Sequence, residues 1–155
     1  MQTHALSAAR LSLAGYHPLP ALALAPANLR ILIVNEDMRC ADSLKRTLQE
    51  LGYSATFTAY SARRALVAVA DFSPAIAIVD LELPDMTGYQ LAYKFRSHLN
   101  GHVRQVPLLA IAESHVFGDL ELTCAAGFIG CLTKPVRPLE LQSVLRKLQR
   151  VTSAS

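Results

Sequence analysis

The sequence predicts an α/β protein built on one doubly wound sheet of five parallel strands. Three observations carry that prediction. From Leu29 onward, short apolar runs alternate with stretches whose apolar residues recur at helical spacing. The central runs, Ile31-Leu32-Ile33-Val34 and Ala75-Ile76-Ala77-Ile78-Val79, lack polar alternation, as strands covered on both faces do. Both stop at polar residues, Asn35-Glu36-Asp37 and Asp80, at the carboxyl edge where open α/β sheets keep their chemistry.

The elements follow in order. Arg30 to Val34 reads as the first strand. Ala41, Leu44, Leu48 and Leu51 form the stripe of a first helix closed by Gly52. Ala55 to Ala59 alternates weakly as a second strand, and Ala62, Ala65, Leu66 and Val69 mark a helix running to Ser73-Pro74. The strand ending in Asp80 comes next. Leu81-Glu82-Leu83-Pro84-Asp85-Met86-Thr87-Gly88 is then a loop, before a helix with Leu91, Phe95 and Leu99 on one face. Pro107 opens a fourth strand, Leu108 to Ala112. Val116, Leu120 and Cys124 suggest a short helix, and Phe128 to Leu132 a fifth strand. After Lys134-Pro135 a last helix begins near Pro138 and turns Leu141, Val144, Leu145 and Leu148 inward. Right-handed crossovers narrow the topologies, and the flavodoxin-like (βα)5 order 2-1-3-4-5 is the common small solution. Its switch point lies between the first and third strands, which brings Asn35-Glu36-Asp37 beside Asp80.

Composition bounds the rest. A chain of 155 residues, 52% hydrophobic, holds one sizeable core. A net charge of +3 without a run of like charges points to neither nucleic acid nor a membrane surface. Arg137, Arg146, Lys147 and Arg150 gather near the end of the sequence, most of them where they complement a helix C-terminus. Cys40, Cys124 and Cys131 show no metal spacing, and an odd count suits reduced thiols in the cytoplasm. Residues 1–28 are rich in Ala, Leu and Pro. His17, Pro18 and Pro20 interrupt any signal-peptide core, so a poorly ordered extension is expected, with a short helix over Ala5 to Leu13. Residues 29–150 then form the domain and 151–155 a tail.

Carboxylates packed at one sheet edge repel one another unless a cation sits among them. An all-oxygen site with one or two carboxylates suits Mg²⁺. A carboxylate is also a nucleophile toward phosphorus, and Lys134 can supply the compact positive charge a phosphoryl group needs. Singly, each acid reads as a solvated loop residue. Acids after strand one, an acid ending strand three and Lys-Pro after strand five make a specific combination.

From Leu29 to Arg150 the chain resembles a response-regulator receiver domain of the CheY-like family. Four stretches carry the resemblance: Ile31 to Tyr53, Ile76 to Gly88 with its Pro-Asp-Met-Thr-Gly loop, Pro107 to Glu113, and Leu132 to Pro135. The resemblance implies that Asp80 is the phosphoacceptor, supplied by a histidine kinase, a phosphotransfer protein or a small phosphodonor. It implies Mg²⁺ held by Glu36, Asp37, Asp80 and the backbone carbonyl of Glu82, with Asn35 behind them. Lys134 would contact the phosphoryl group, and the Lys134-Pro135 bond would be cis. Glu82 and Ser114 fall where the family tunes phosphoryl lifetime. The face of helix four, strand five and helix five would meet a downstream protein target, a second copy of the chain included.

Departures from the family pattern lie at the same site. Asn35 stands where the first pocket acid usually is, and the longer Glu36 where an Asp usually holds the metal, which weakens Mg²⁺ binding. Ala112 lacks the hydroxyl that links phosphoryl to loop movement, and Cys131 replaces the switch aromatic. The chain ends soon after its last helix, so signalling by protein–protein binding is expected rather than through an attached output domain. Two readings compete with a stand-alone phosphoacceptor. One is a pseudo-receiver that binds partners without phosphoryl chemistry; the other is an aspartate-nucleophile phosphatase, which lacks its cap. No enzymatic turnover of a separate substrate is expected.

Overall fold

The computed structural model describes residues 10–12, 20–113 and 120–153. Five parallel strands form the body of the sheet: β1 (Ile31–Val34), β2 (Thr56–Ala59), β3 (Ile76–Asp80), β4 (Leu108–Ala112) and β5 (Phe128–Thr133). Their order is 2-1-3-4-5, as the sequence predicts. Val34 lies opposite Val79, Asp80 opposite Ile111, and Ala112 opposite Thr133, so the carboxyl ends of four strands share one edge.

The helices that follow the five strands are α1 (Met38–Glu50), α2 (Ala62–Phe72), α3 (Gly88–Arg96), α4 (Leu120–Ala125) and α5 (Pro138–Ser153), and a further five-residue helix, Gly101–Gln105, lies between α3 and β4. Alternate residues of each buried strand feed two cores. Ile31, Ile33, Ile76 and Ile78 pack with Leu44 and Leu48 of α1 and Leu141, Leu145 and Leu148 of α5. Leu32, Val34, Ala77 and Val79 pack with Val69 of α2 and Leu91 and Phe95 of α3. Both faces of the sheet are therefore dry, which is why its central strands carry no polar alternation.

Three details depart from the sequence reading. Helix α3 stops at Arg96, and Leu99 is 97% exposed instead of lying on its buried face. Local polar groups end the helix: the Asn100 N–H donates to His98 Nδ1, and the Asn100 side chain caps a separate turn, Gly101–Gln105. A half-buried guanidinium secures this stretch, Arg96 donating to the carbonyls of Arg104, Val106 and Gly127. The second departure is a sixth strand, Arg10–Leu11, antiparallel to β5, where a helix over Ala5 to Leu13 was expected; Ala5–Ala9 and Leu13 lie outside the described residues. A two-residue strand carries no periodic signal, and its pairing is set by a partner far along the chain. The third is Leu22, wholly buried in the core beside α5, within a stretch expected to be loose. Short 3-10 turns, Pro20–Ala23 and Pro26–Asn28, bring the chain from there to β1.

Candidate functional site

Asp80 ends β3 and is only 2% exposed. Burial of a carboxylate requires partners, and two are present. The Glu82 N–H donates to Oδ1 at 2.8 Å, and Lys134 Nζ stands 2.6 Å from Oδ2. Lys134 follows β5 directly and reaches across β4 to make that contact, while its own N–H bonds the Ala112 carbonyl at 2.9 Å. The Lys134-Pro135 peptide is cis. Burial lowers the Lys134 pKa, but the hydrogen bond and charge of Asp80, with Glu113 and Glu82, outweigh it and hold the pKa above the ordinary lysine range. The site thus contains one buried anion and one cation fixed upon it.

The acids after β1 are arranged differently from one another. Asn35 is buried, and its Oδ1 accepts the Asp37 N–H at 2.9 Å. Asp37 is the N-cap of α1: its Oδ1 accepts from the N–H groups of Arg39 and Cys40, bonds that lower its pKa. That carboxylate has a local structural task, and the Asp-before-helix signal for it was present in the sequence. Glu36 is exposed. Among the described residues no three His, Cys, Asp or Glu side chains gather as a metal cage. The carboxylate fixed at the edge is therefore that of Asp80.

Backbone packing holds the loop that follows β3. Glu82 pairs with Thr87 in an isolated antiparallel bridge, and the Gly88 N–H donates to the Leu81 carbonyl at 2.9 Å. A Cβ on Gly88 would lie 2.8 Å from Leu81 Cα and 2.9 Å from the Asp80 carbonyl oxygen, so only glycine lets α3 start this close. Thr87 caps α3 reciprocally with Gln90 in a capping box. Asp85, within the loop before α3, bridges to α2: its carboxylate accepts from the N–H groups of Ala62 and Arg63 at 3.1 and 2.8 Å. Ser61 takes the next one, that of Arg64. A partner 22 or 23 residues away leaves no local signature.

Ala112 is wholly buried and offers no hydroxyl, and Cys131 packs in the core on the α2–α3 face as a small apolar residue. Ser114 and Val116 lie outside the described residues. Beside the Asp80–Lys134 pair, a cavity of about 450 Å³ opens between α1 and the loop after β5, reaching Asn35, Lys134 and Val136. Lys134 is consequently approachable from solvent, with 22% of its side chain exposed.

Comparisons with known proteins agree with this geometry. The sequence signature of the response regulator receiver domain matches residues 31–146. The chain is 31% identical over 115 residues to an uncharacterized 14.6 kDa protein of Leptolyngbya boryana, covering 74% of this chain and 86% of that one. It is 29% identical over 125 residues to the response regulator MprA of Mycolicibacterium vanbaalenii, covering 81% of this chain but 52% of MprA, so it spans about half of that relative. Among solved structures, the chemotaxis response regulator CheY4 of Vibrio cholerae superposes with a TM-score of 0.69 at 25% identity, covering 77% of this chain and 98% of CheY4. A CheY-like receiver domain protein from Methanospirillum hungatei gives 0.67 at 26% identity, covering 81% and 97%.

Proposed function

The chain belongs to the response regulator receiver domain family, and on that premise we propose that it is a phosphoacceptor of two-component signalling. In this reading Asp80 takes the phosphoryl group and the chain passes the signal on by binding another protein. The observation that carries it is the pair of buried Asp80 and Lys134 at 2.6 Å on the carboxyl edge of the sheet. A structural Asp would not need to be buried against a lysine delivered from two strands away. The same pair is the reason to place phosphoryl acceptance ahead of a phosphorylation-independent binding module.

The chemistry balances simply. A carboxylate oxygen of Asp80 forms a bond to phosphorus while the donor's bond breaks. From a kinase or phosphotransfer protein the leaving group is imidazole; from an acyl phosphate it is a carboxylate. Lys134 stays protonated throughout and follows the charge from carboxylate to phosphoryl oxygens. No separate substrate is turned over.

An all-oxygen donor set with one fixed carboxylate, an exposed second and a backbone carbonyl fits Mg²⁺, an ion that keeps several waters. Asp80, Glu36 and the carbonyl of Glu82 would hold it, with Asp37 contributing only its second oxygen and Asn35 lying behind. Bound there, the ion would offset the charge of the phosphoryl oxygens. Glu82 and Ser114 are read as setting how long the phosphoryl group persists. With alanine at 112 and cysteine at 131, the output would not use the hydroxyl and aromatic pair of the family. The partner surface in this reading is the face of α4, β5 and α5. No helix among the described residues is long and apolar enough to cross a membrane. In this reading the chain works in the cytoplasm, without contact to membrane or nucleic acid.

The test is intact mass after incubation with Mg²⁺ and a small acyl phosphate, in the wild type, Asp80→Asn and Glu36→Gln. The reading expects one phosphoryl adduct in the wild type, none in Asp80→Asn, and a higher Mg²⁺ requirement in Glu36→Gln. An adduct that survives Asp80→Asn would overturn it.

A further inference from the structure

The two outermost strands of an open sheet present unpaired backbone groups, an invitation to another strand. In this chain the β5 edge is already taken. Arg10 lies opposite Cys131 and Leu11 opposite Gly130, and the Ser12 N–H donates to the Ile129 carbonyl at 2.8 Å. Leu11 packs against the core cluster that α1 and α5 share, and Leu22 is wholly buried within it. Gln149 of α5 fixes the same stretch from the side, its Nε2 donating to the carbonyls of Leu24 at 3.0 Å and Leu22 at 3.4 Å, while Tyr53 donates to its Oε1. One N-terminal stretch thus covers both the strand and the helix through which the proposed function expects a partner.

The strength of this cover is uneven. Leu22 is anchored by full burial, whereas the strand offers two residues against the six of β5. Short edge pairings with few buried contacts open at low free energy. From this we infer that residues 10–12 and 22–24 act as an intramolecular ligand of the β5–α5 face. They occupy the edge with which an extended peptide of a partner, antiparallel and carrying an apolar side chain at the Leu11 position, would pair, and that partner binds only by displacing them. The inference rests on the reading of this chain as one that signals by binding, and assigns that binding a built-in competitor. A tethered strand acts at an effective concentration on the order of millimolar, so a free peptide with the same contacts at micromolar concentration does not displace it.

The test uses the full chain as wild type, Ser12→Pro and Ser12→Ala. Proline removes the N–H that bonds Ile129 and cannot continue the pairing; alanine keeps it. In an antiparallel ladder bonded pairs recur two residues apart, which places the Ile129 and Cys131 amides on the covered edge. Hydrogen exchange at those two amides is expected to rise about tenfold in Ser12→Pro, the weight of one hydrogen bond, with amides of β1 unchanged and Ser12→Ala like the wild type. A labelled synthetic peptide of residues 8–25 is expected to reach half-occupancy on Ser12→Pro at a concentration about tenfold lower than on the wild type, since the same tenfold loss lowers the effective concentration of the tethered strand from about 1 mM to about 0.1 mM. Equal exchange at Ile129 and Cys131 in all three proteins, or equal peptide binding, overturns the inference. Phosphoryl acceptance measured in the same samples keeps the two readings apart: its loss in every protein, with the exchange difference intact, faults the phosphoacceptor reading alone.

Discussion

Replacing Lys134 by methionine keeps most of the apolar stem but removes the ammonium 2.6 Å from Asp80. The carboxylate that remains is 2% exposed and keeps one fixed donor, the Glu82 N–H. Breaking a buried pair by removing one member costs roughly 3–5 kcal/mol, because the other charge is stranded. Lys134 leaves 22% of its side chain in water, so the lower end applies, about 3 kcal/mol. For a chain of this length that is a fall in Tm of about 6–12 °C, at roughly 2–4 °C per kcal/mol. Asp80→Asn should cost only about 1 kcal/mol. Its amide oxygen still accepts from Glu82, and Lys134 can turn to solvent and to Glu113, already 3.9 Å away. The double variant Asp80→Asn/Lys134→Met contains no stranded charge and should also lose about 1 kcal/mol, which leaves a coupling of about 3 kcal/mol. Urea unfolding of the four proteins at neutral pH measures the cycle. The pH dependence has a defined sign. The folded pKa of Lys134 is raised, so the pair stabilises fully below the ordinary lysine pKa of about 10.4 and is lost as pH rises through the folded value. Lys134→Met should lack that alkaline decline. If Lys134→Met proves as stable as the double variant, Asp80 is not a buried ion held by Lys134, and the reasoning fails.

Other perturbations reach the site through its supports. Gly88→Ala places a methyl against the backbone of Asp80 and Leu81 and should cost about 1–3 kcal/mol while slowing phosphoryl acceptance; thermal melts and adduct kinetics read both. Asp85→Ala frees two N–H groups at the start of α2 and should cost about 1 kcal/mol at neutral pH. Burial raises the Asp85 pKa, but the backbone bonds to Arg63 and Ala62 outweigh it and lower the net value. The difference from wild type therefore holds above about pH 4 and closes as pH falls through the folded value, measurable by denaturation at a series of acid pH values. Glu82→Ala is expected to change the rate of phosphoryl loss, followed by mass after removal of the donor. An unchanged rate would assign Glu82 no part in lifetime.

Much of the fold could be read from the chain because its sheet is dry on both sides. The runs Ile31–Val34, Ile76–Asp80 and Leu108–Ala112 have no other comfortable environment, and the inward stripe of Leu141, Val144, Leu145 and Leu148 is fully buried as its spacing predicts. Asp80 and Lys134 were legible because topology alone brings the ends of β3 and β5 to one edge. What escaped depends on partners distant in sequence or on competing local bonds. Leu99 kept a helical spacing, yet the His98 and Asn100 side chains end the helix before it. The grip of Asp85 on α2, the plug of Leu22 and the strand at Arg10–Leu11 each join segments that no periodicity links. Asp37 shows the opposite case: its capping of α1 is a local signal, Asp immediately before a helical stripe, that the chain carries in plain view.

The central claim is that Asp80 itself is the acceptor. Borohydride reduction of the wild-type protein after exposure to Mg²⁺ and an acyl phosphate, followed by peptide mapping, tests it most directly, since an acyl phosphate on aspartate is reduced to homoserine. Homoserine is expected at position 80, and is absent when the phosphodonor is omitted. Homoserine at another acidic residue, with position 80 unmodified, would contradict it.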